Sequence, residues 1–206
     1  MYLREKLEQN KIVKKGHFKL TSGRHSNLYV NKDSIYCIPS LFDEVIDDMC
    51  TVASMDHIEF DVVTGPAIAG AVLAVPISMR FGKIFVYPEK VTKTVVSPRS
   101  RNAFEVPNGM AFRRGYNKVI KNKRVLIIED IITTGASIQQ TIDAIRQCGG
   151  IPVRAIAIWN RSRWKTNDCK LDSLINEDVR SWEKKDCPQC LERIPLTDPK
   201  TDREVK

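Results

Sequence analysis

The residues able to do chemistry are concentrated in one stretch, residues 125–137. An apolar run, Val125 to Ile128, leads into Glu129 and Asp130. Two isoleucines follow, and the stretch ends in Thr133-Thr134-Gly135-Ala136-Ser137. Consecutive small residues let backbone N–H groups converge on an anion, and a helix starting there favours negative charge at the same point. The hydroxyls of Thr133, Thr134 and Ser137 can donate to the same oxygens. The carboxylates of Glu129 and Asp130 can accept hydrogen bonds from a diol, or hold Mg2+ through its waters. An anion site beside a diol site describes a phosphorylated ribose. The plainer reading, two exposed acids at a strand end, fits poorly with isoleucines on both sides.

A second loop has a similar make-up: Thr64-Gly65-Pro66-Ala67-Ile68-Ala69-Gly70. Gly65 and Gly70 have the outer spacing of a P-loop, but Ala71 and Val72 stand where Lys and Ser/Thr are needed, so this is no Walker A site. It can still form an anion nest. Either loop alone serves equally well as a tight βα turn; two of them on one sheet edge favour a ligand site. Residues 88–117 show no sustained periodicity and carry Lys90, Lys93, Arg99, Arg101, Arg113 and Arg114. Loops this long inside a compact domain are mostly lids or unstructured insertions. A basic lid over an anionic ligand suits the neighbouring loops better.

These residues need a scaffold. Short apolar strands are expected at 61–65, 83–87, 124–130 and 153–160. Helices are expected at 67–82, with a kink at Pro76, and at 136–150, where Ile138, Ile142 and Ile145 share a face before Gly149-Gly150. Strands alternating with helices imply an α/β fold with a central parallel sheet flanked by helices. Ligands of such sheets bind beyond the carboxyl ends of the strands. Upstream, residues 2–15 read as a helix with Leu3 and Leu7 on one face and Gly16 as its C-cap. Residues 17–36 read as a hairpin or short strands around Ser22-Gly23. Residues 39–54 form a helix that starts at Pro39 and carries an apolar stripe of Leu41, Phe42, Val45, Ile46, Met49 and Cys50. The tail from about residue 165 looks polar and irregular.

The bulk properties set bounds. A chain of 206 residues suits a single domain, here divided into 1–38, 39–164 and 165–206. With 42% hydrophobic and 28% charged residues it is of ordinary globular composition. The longest mostly apolar run, 67–79, is too short to span a bilayer and contains Pro76, and the amphipathic N-terminus has no apolar signal core. No membrane partner is expected, and the cytoplasm is the expected location. The net charge of +8 suits an anionic small substrate, a nucleic acid or simply a soluble surface. The basic residues are spread out with no arginine-rich arm, so nucleic acid is not the expected partner. Cys50 and Cys148 fall on apolar helical faces and read as core residues. His17, His25 and His57 form no triad, and His25 reads as a local hydrogen-bonding group in a turn rather than a substrate contact. Cys187 and Cys190 have the spacing of half a zinc knuckle; the remaining ligands would have to come from Cys169 or a second subunit.

The run IIEDIITTGAS resembles the signature for phosphoribosyl pyrophosphate (PRPP) of the type I phosphoribosyltransferases, over nearly its full length. Within that superfamily, GHFKLTSGRHSNLYVNK (16–32), DVVTGPAIAG (61–70), GMAFRRGY (109–116) and CPQCLERIPLTDP (187–199) resemble segments of the orotate phosphoribosyltransferases, in the expected order. The resemblance implies the type I phosphoribosyltransferase fold, with a small hood built from the two termini. It implies transfer of 5-phosphoribose from PRPP to orotate with Mg2+ as cofactor, giving orotidine 5′-monophosphate and pyrophosphate in pyrimidine nucleotide biosynthesis. It also implies a homodimer. By the same resemblance Thr133, Thr134, Gly135, Ala136 and Ser137 hold the 5′-phosphate, and Glu129 and Asp130 hold the ribose hydroxyls. Thr64, Gly65, Pro66, Ala67 and Gly70 meet the pyrophosphate. Lys90 and Lys93 of the lid act with Asp130 in catalysis. Thr21, Tyr29 and Arg161 contact the base, the guanidinium suiting a carboxylate bidentately. No side chain would ligate a metal directly, since Mg2+ would arrive with PRPP and water near Glu129 and Asp130. The lid, YPEKVTKTVV, lacks the family's Lys-Asp-His-Gly run. Thr21 and Asn160 replace a lysine and an aspartate. A phosphoribosyltransferase for another base, or a catalytically silent PRPP-binding regulator, are the alternatives.

Overall fold

The computed structural model describes residues 3–20, 22–96, 103–199, 201 and 203–204, with backbone only for 95, 96 and 103–107. In chain order the elements are α1 (Leu3–Gln9), β1 (Val13–Lys19), β2 (His25–Val30), α2 (Pro39–Ser54), β3 (Val62–Thr64), α3 (Ala69–Phe81), β4 (Ile84–Phe85), β5 (Glu89–Val96), β6 (Ala103–Ala111), α4 (Tyr116–Ile120), β7 (Arg124–Ile132), α5 (Ala136–Gln147), β8 (Ile151–Asn160), β9 (Lys170–Asn176), α6 (Pro188–Leu191), β10 (Thr197–Asp198) and β11 (Arg203–Glu204). They fall into two compact units, one of Met1–Asp43 with Glu177–Lys206, the other of Glu44–Asn176.

In the first unit, α1 is shorter than expected. Leu3 and Leu7 are buried as their spacing requires, but the helix stops at Gln9 because Lys11 takes a left-handed backbone (φ 56°). The Ile12 N–H then closes onto the Leu7 carbonyl at 2.9 Å. Gly16 is therefore no C-cap; it lies within β1. The sheet order is β11-β10-β1-β2, with β1 and β2 antiparallel and β10 joining β1 in parallel at Phe18↔Thr197. Two distant parts of the chain share this sheet, a pairing with no local signal.

The second unit holds a five-stranded parallel sheet in the order β4-β3-β7-β8-β9. Residues 125–130 of β7 and 154–160 of β8 are all buried, as expected of parallel strands covered on both faces. From β3 the chain goes through α3 to β4 on one side; from β7 it goes through α5 to β8 on the other. The winding reverses between β3 and β7, so a crevice opens there beyond their carboxyl ends. α3 runs through Pro76 as one element. α2 spans Pro39–Ser54 and buries Leu41, Val45, Ile46, Met49 and Ala53, while Phe42 and Cys50 are half-buried. Cys148 is half-buried against the core that contains Ile138, Ile142 and Ile145.

Two expectations are corrected. Residues 88–117 are not structureless: β5 and β6 form an antiparallel hairpin, with Lys90↔Met110 and Lys93↔Val106 in register. Its β-branched residues, VTKTVV, suit a ladder, but Lys90 and Lys93 are exposed while Met110 is buried in the core beside Thr141 of α5, so no sustained alternation marks it in the sequence. Arg99 and Arg101 lie outside the described residues. The tail after 165 also contributes β9, the fifth strand of the sheet. An edge strand covered on one side carries polar residues, here KLDSLIN, and so looks like loop.

Two buried or half-buried ion pairs tie the second unit together. Arg154 is 1% exposed; it donates to Asp172 Oδ2 (2.7 Å) and to the Met55 carbonyl (2.8 Å), joining β8 to β9 and to the turn after α2. Asp61 accepts from the Arg124 backbone N–H (2.9 Å), Nε (3.2 Å) and Nη2 (3.0 Å), pinning the start of β3 to the start of β7. The Arg124 guanidinium lowers the Asp61 pKa from 3.8 to about 2. A depressed carboxyl pKa stabilises the fold above its unfolded value, and that contribution is lost as the pH falls through the folded value. Asp61→Asn is therefore expected to lower the urea midpoint at neutral pH. The gap from wild type should close between pH 3.8 and about 2. Urea titrations of both proteins across that range measure it, and a gap independent of pH would contradict the assignment.

Candidate active site

The crevice at the β3–β7 reversal is floored by the two loops that the sequence singles out. β7 runs on through Ile132, so Glu129 and Asp130 lie inside the strand rather than at its end. Both are buried, at 6% and 4% exposure, so Asp130 is not an acid standing clear of the core. Alternation along the strand puts them on opposite faces. The Asp130 N–H bonds Glu129 Oε1 at 3.1 Å, and the Ile131 N–H bonds Asp130 Oδ1 at 2.5 Å, so each carboxylate is oriented by the next peptide.

Beyond Ile132 the chain turns into α5. Gly135 precedes the helix with φ 76°, a left-handed backbone that glycine adopts without strain. The N-cap residue, Gly135, makes no side-chain cap; the Ala136 N–H reaches Thr134 Oγ1 at 3.4 Å, a long contact at the open start of the helix. Thr133, Thr134, Ala136 and Ser137 are exposed around it. Together with Glu129 they line a small pocket of about 80 Å³. Asp130 does not line it. The geometry offers an anion a helix N-terminus and hydroxyl donors, with one carboxylate at the pocket edge.

The neighbouring loop is built by close contact. A Cβ on Gly65 would lie 2.3 Å from the Gly70 carbonyl and 2.7 Å from the Ile128 carbonyl, so only glycine lets this loop fold onto β7. Thr64, Gly65, Pro66 and Gly70 are buried, and the buried Thr64 Oγ1 has no hydrogen-bond partner. Ala67 and Ala69 are half-buried, Ile68 is exposed and the Ala67–Ile68 peptide is cis. The loop's accessible surface is thus confined to residues 67–69, with Ile68 81% exposed.

The remaining expected residues are placed as follows. Arg161 follows the last residue of β8, and its N–H bonds the Ile132 carbonyl at 3.1 Å, which sets it at the same sheet edge as the Thr133–Ser137 loop. Lys90 and Lys93 are exposed on β5, where the ladder shifts register between Lys90 and Thr92. Tyr29 belongs to β2 of the other unit, half-buried with its ring 6.0 Å from that of Phe18. Thr21 lies outside the described residues.

One residue escapes sequence reasoning. The Trp164 indole sits over Gly135, where an added Cβ would come within 2.1 Å of the ring. Asn160 holds Trp164 in place through both of its amide atoms, accepting from the Trp164 N–H at 3.1 Å and donating to its carbonyl at 2.8 Å. Asp168 pins the same connection to α5 through Gln139 (2.8 Å) and Arg146 (2.9 Å), contacts that lower its carboxyl pKa. The β8–β9 connection therefore returns across the start of α5 and covers Gly135. No periodicity or motif marks Trp164; only the path of the return connection brings it there.

Comparison with known proteins agrees with this geometry. Residues 31–185 match the phosphoribosyl transferase domain. The chain is 32% identical to the orotate phosphoribosyltransferase of Caldanaerobacter subterraneus subsp. tengcongensis, covering 95% of this chain and 92% of that one. It is 31% identical to the orotate phosphoribosyltransferase of a Thermoanaerobacter species, covering 91% and 90%. Among solved structures, the fold is similar to orotate phosphoribosyltransferase from Aeropyrum pernix (TM-score 0.65, 23% identity, 84% of this chain and 93% of that chain). It is also similar to adenine phosphoribosyltransferase from Trypanosoma brucei (TM-score 0.62, 19% identity, 84% and 79%). The fold is thus shared by enzymes for different bases, while the sequence relatives that span nine-tenths of the chain bear the orotate name. With both loops and both acids in place at the reversal of its parallel sheet, this chain belongs to the phosphoribosyl transferase family and, within it, to the orotate phosphoribosyltransferases.

Proposed function

We propose that this protein transfers 5-phosphoribose from PRPP to orotate, releasing orotidine 5′-monophosphate and pyrophosphate in pyrimidine nucleotide synthesis. The observation that carries this reading is the glycine-started α5, ringed by hydroxyls, with the buried carboxylate of Glu129 at the edge of the same pocket. Relatives named for the same activity, matched over nine-tenths of the chain, support the choice of base.

The 5′-phosphate sits on the N–H groups and hydroxyls of Thr133–Ser137. Glu129 and Asp130 accept from the ribose hydroxyls and fix the sugar relative to the crevice. The backbone of Thr64–Gly70 meets the pyrophosphate, and Lys90 and Lys93 add positive charge as that group departs. Arg161 faces the base carboxylate. The two carboxylates are hard oxygen donors and suit Mg2+ held through water; when bound, the ion supplies charge neutralisation to the pyrophosphate. As the C1′–O bond breaks, the ring carbon gains oxocarbenium character and the base nitrogen bonds to it. No covalent nucleophile on the protein is needed. Among the described residues no helix is long and apolar enough to cross a membrane, and we place the enzyme in the cytoplasm as a homodimer.

Incubating the protein with PRPP, Mg2+ and a panel of free bases tests the reaction; pyrophosphate release is expected with orotate, and release with a purine alone would reassign the base. Asp130→Asn preserves shape but weakens the grip on the ribose, and kcat/KM is expected to fall by about a hundredfold or more at unchanged Tm. Unchanged turnover would remove Asp130 from the site. Gly135→Ala forces a left-handed alanine against the Trp164 ring, and the KM for PRPP is expected to rise about tenfold or more. Adding Trp164→Ala should recover part of the loss, and a double variant no better than the single one would show that the ring is not the obstacle. Light scattering is expected to give twice the chain mass, with a monomer at assay concentration counting against the dimer.

A further inference from the structure

The unit of Met1–Asp43 with Glu177–Lys206 contains a cluster that the transferase chemistry leaves unused. His17 on β1, His25 on β2, and Cys187 and Cys190 at α6 bring one ligand atom each to within 4.8 Å of one another. His17 Nε2 lies 3.0 Å from His25 Nδ1, 3.4 Å from Cys187 Sγ and 3.6 Å from Cys190 Sγ. His25 Nδ1 lies 3.2 Å from Cys190 Sγ. A tetrahedron with metal–nitrogen bonds of about 2.0–2.1 Å and metal–sulfur bonds of about 2.3 Å has edges of roughly 3.3–3.8 Å. Of the four measured edges, 3.4 and 3.6 Å fall in that range and 3.0 and 3.2 Å just below it. Sequence spacing suggests Cys169 or a second subunit as the source of the missing ligands; Cys169 belongs to the other unit, and two histidines of this same unit complete the set.

Two further features prepare the site. His17 Nδ1 lies 2.8 Å from the Ile194 carbonyl, which can only accept, so Nδ1 carries the proton and the Nε2 lone pair points into the cluster. A carbonyl behind a ligating imidazole is the usual second support of a metal site. The Cys-Pro-Gln-Cys segment turns tightly, with the Cys190 N–H on the Cys187 carbonyl at 3.1 Å, which aims both thiols the same way. Both thiols are free, and Cys187, His17 and His25 are 0%, 3% and 2% exposed. Two sulfurs and two imidazoles in a closed tetrahedron select zinc; four protein ligands leave no open position for catalysis.

We propose that His17, His25, Cys187 and Cys190 bind one structural Zn2+ that fastens the 184–199 segment to the β1–β2 hairpin. Tag-free protein purified without chelator is expected to contain one equivalent of zinc. Protein stripped of metal under reducing conditions should show a lowered Tm that zinc restores. It should take up one Co2+ per chain with the visible bands of a tetrahedral ion and sulfur-to-cobalt charge transfer. Cys190→Ser should diminish the charge transfer, while Asp130→Asn should keep the full spectrum. The wild-type metal content and cobalt spectrum stand even if a cysteine variant fails to fold. Any of three results would overturn the proposal: no uptake of Zn2+ or Co2+ by reduced wild-type protein, an octahedral cobalt spectrum, or a Cys187–Cys190 disulfide found as four rather than six free thiols in the unreduced, denatured chain.

Discussion

β7 is hydrogen-bonded on both edges, by β3 and β8, and buried on both faces. That one strand carries the constraints on which the site depends. Because parallel strands need a crossover each time, the chain must leave β3 and β7 by helices, and the two exits lead in opposite directions. A crevice at their carboxyl ends follows from connectivity alone. Glu129 and Asp130 lie in the last buried stretch of the strand. Their own following N–H groups hold them, so they cannot swing away from whatever enters the crevice.

The loops around this strand are shaped by steric exclusion more than by attraction. At Gly65 a methyl group would collide with the Gly70 and Ile128 backbone. At Gly135 it would collide with Trp164, which Asn160 holds by two hydrogen bonds, while Asp168 ties the same β8–β9 connection to α5. Two loops at the same sheet edge therefore owe their form to different neighbours. One is packed onto the central strand. The other is pressed from outside by a connection that belongs to the sheet's edge. Glycine at the N-cap of α5 completes the arrangement, since a serine or aspartate there would bond the N–H groups that an anion needs, whereas Thr134 makes only a long contact of 3.4 Å with one of them.

Legibility in the sequence followed burial. The central strands are continuous apolar runs, the helices carry stripes at i, i+4 and i+7, and α2 is found where its pattern places it, over Pro39–Ser54. Elements with less buried surface were harder to see. The β5–β6 hairpin meets the core at Met110 while Lys90 and Lys93 stay exposed, too little to impose alternation, and β9 is an edge strand whose polar residues match those of a loop. α1 ended early because Lys11 adopts a left-handed turn, a conformation that lysine does not advertise.

The sequence by itself determined the chemistry of the crevice: acids, hydroxyls and small residues adjacent along the chain must be adjacent in space, because a strand and the turn after it are local structures. It also determined the α/β class, since hydrophobic period is local too. Only the tertiary structure decided which distant residues meet. Trp164 reaches Gly135 because a return connection must cross α5. The pair Cys187 and Cys190 meets His17, 170 residues from the first of them, because β10 adds to β1 rather than to any strand near it in sequence. Such contacts depend on loop closure and shared burial, and neither is written in the spacing of residues along the chain.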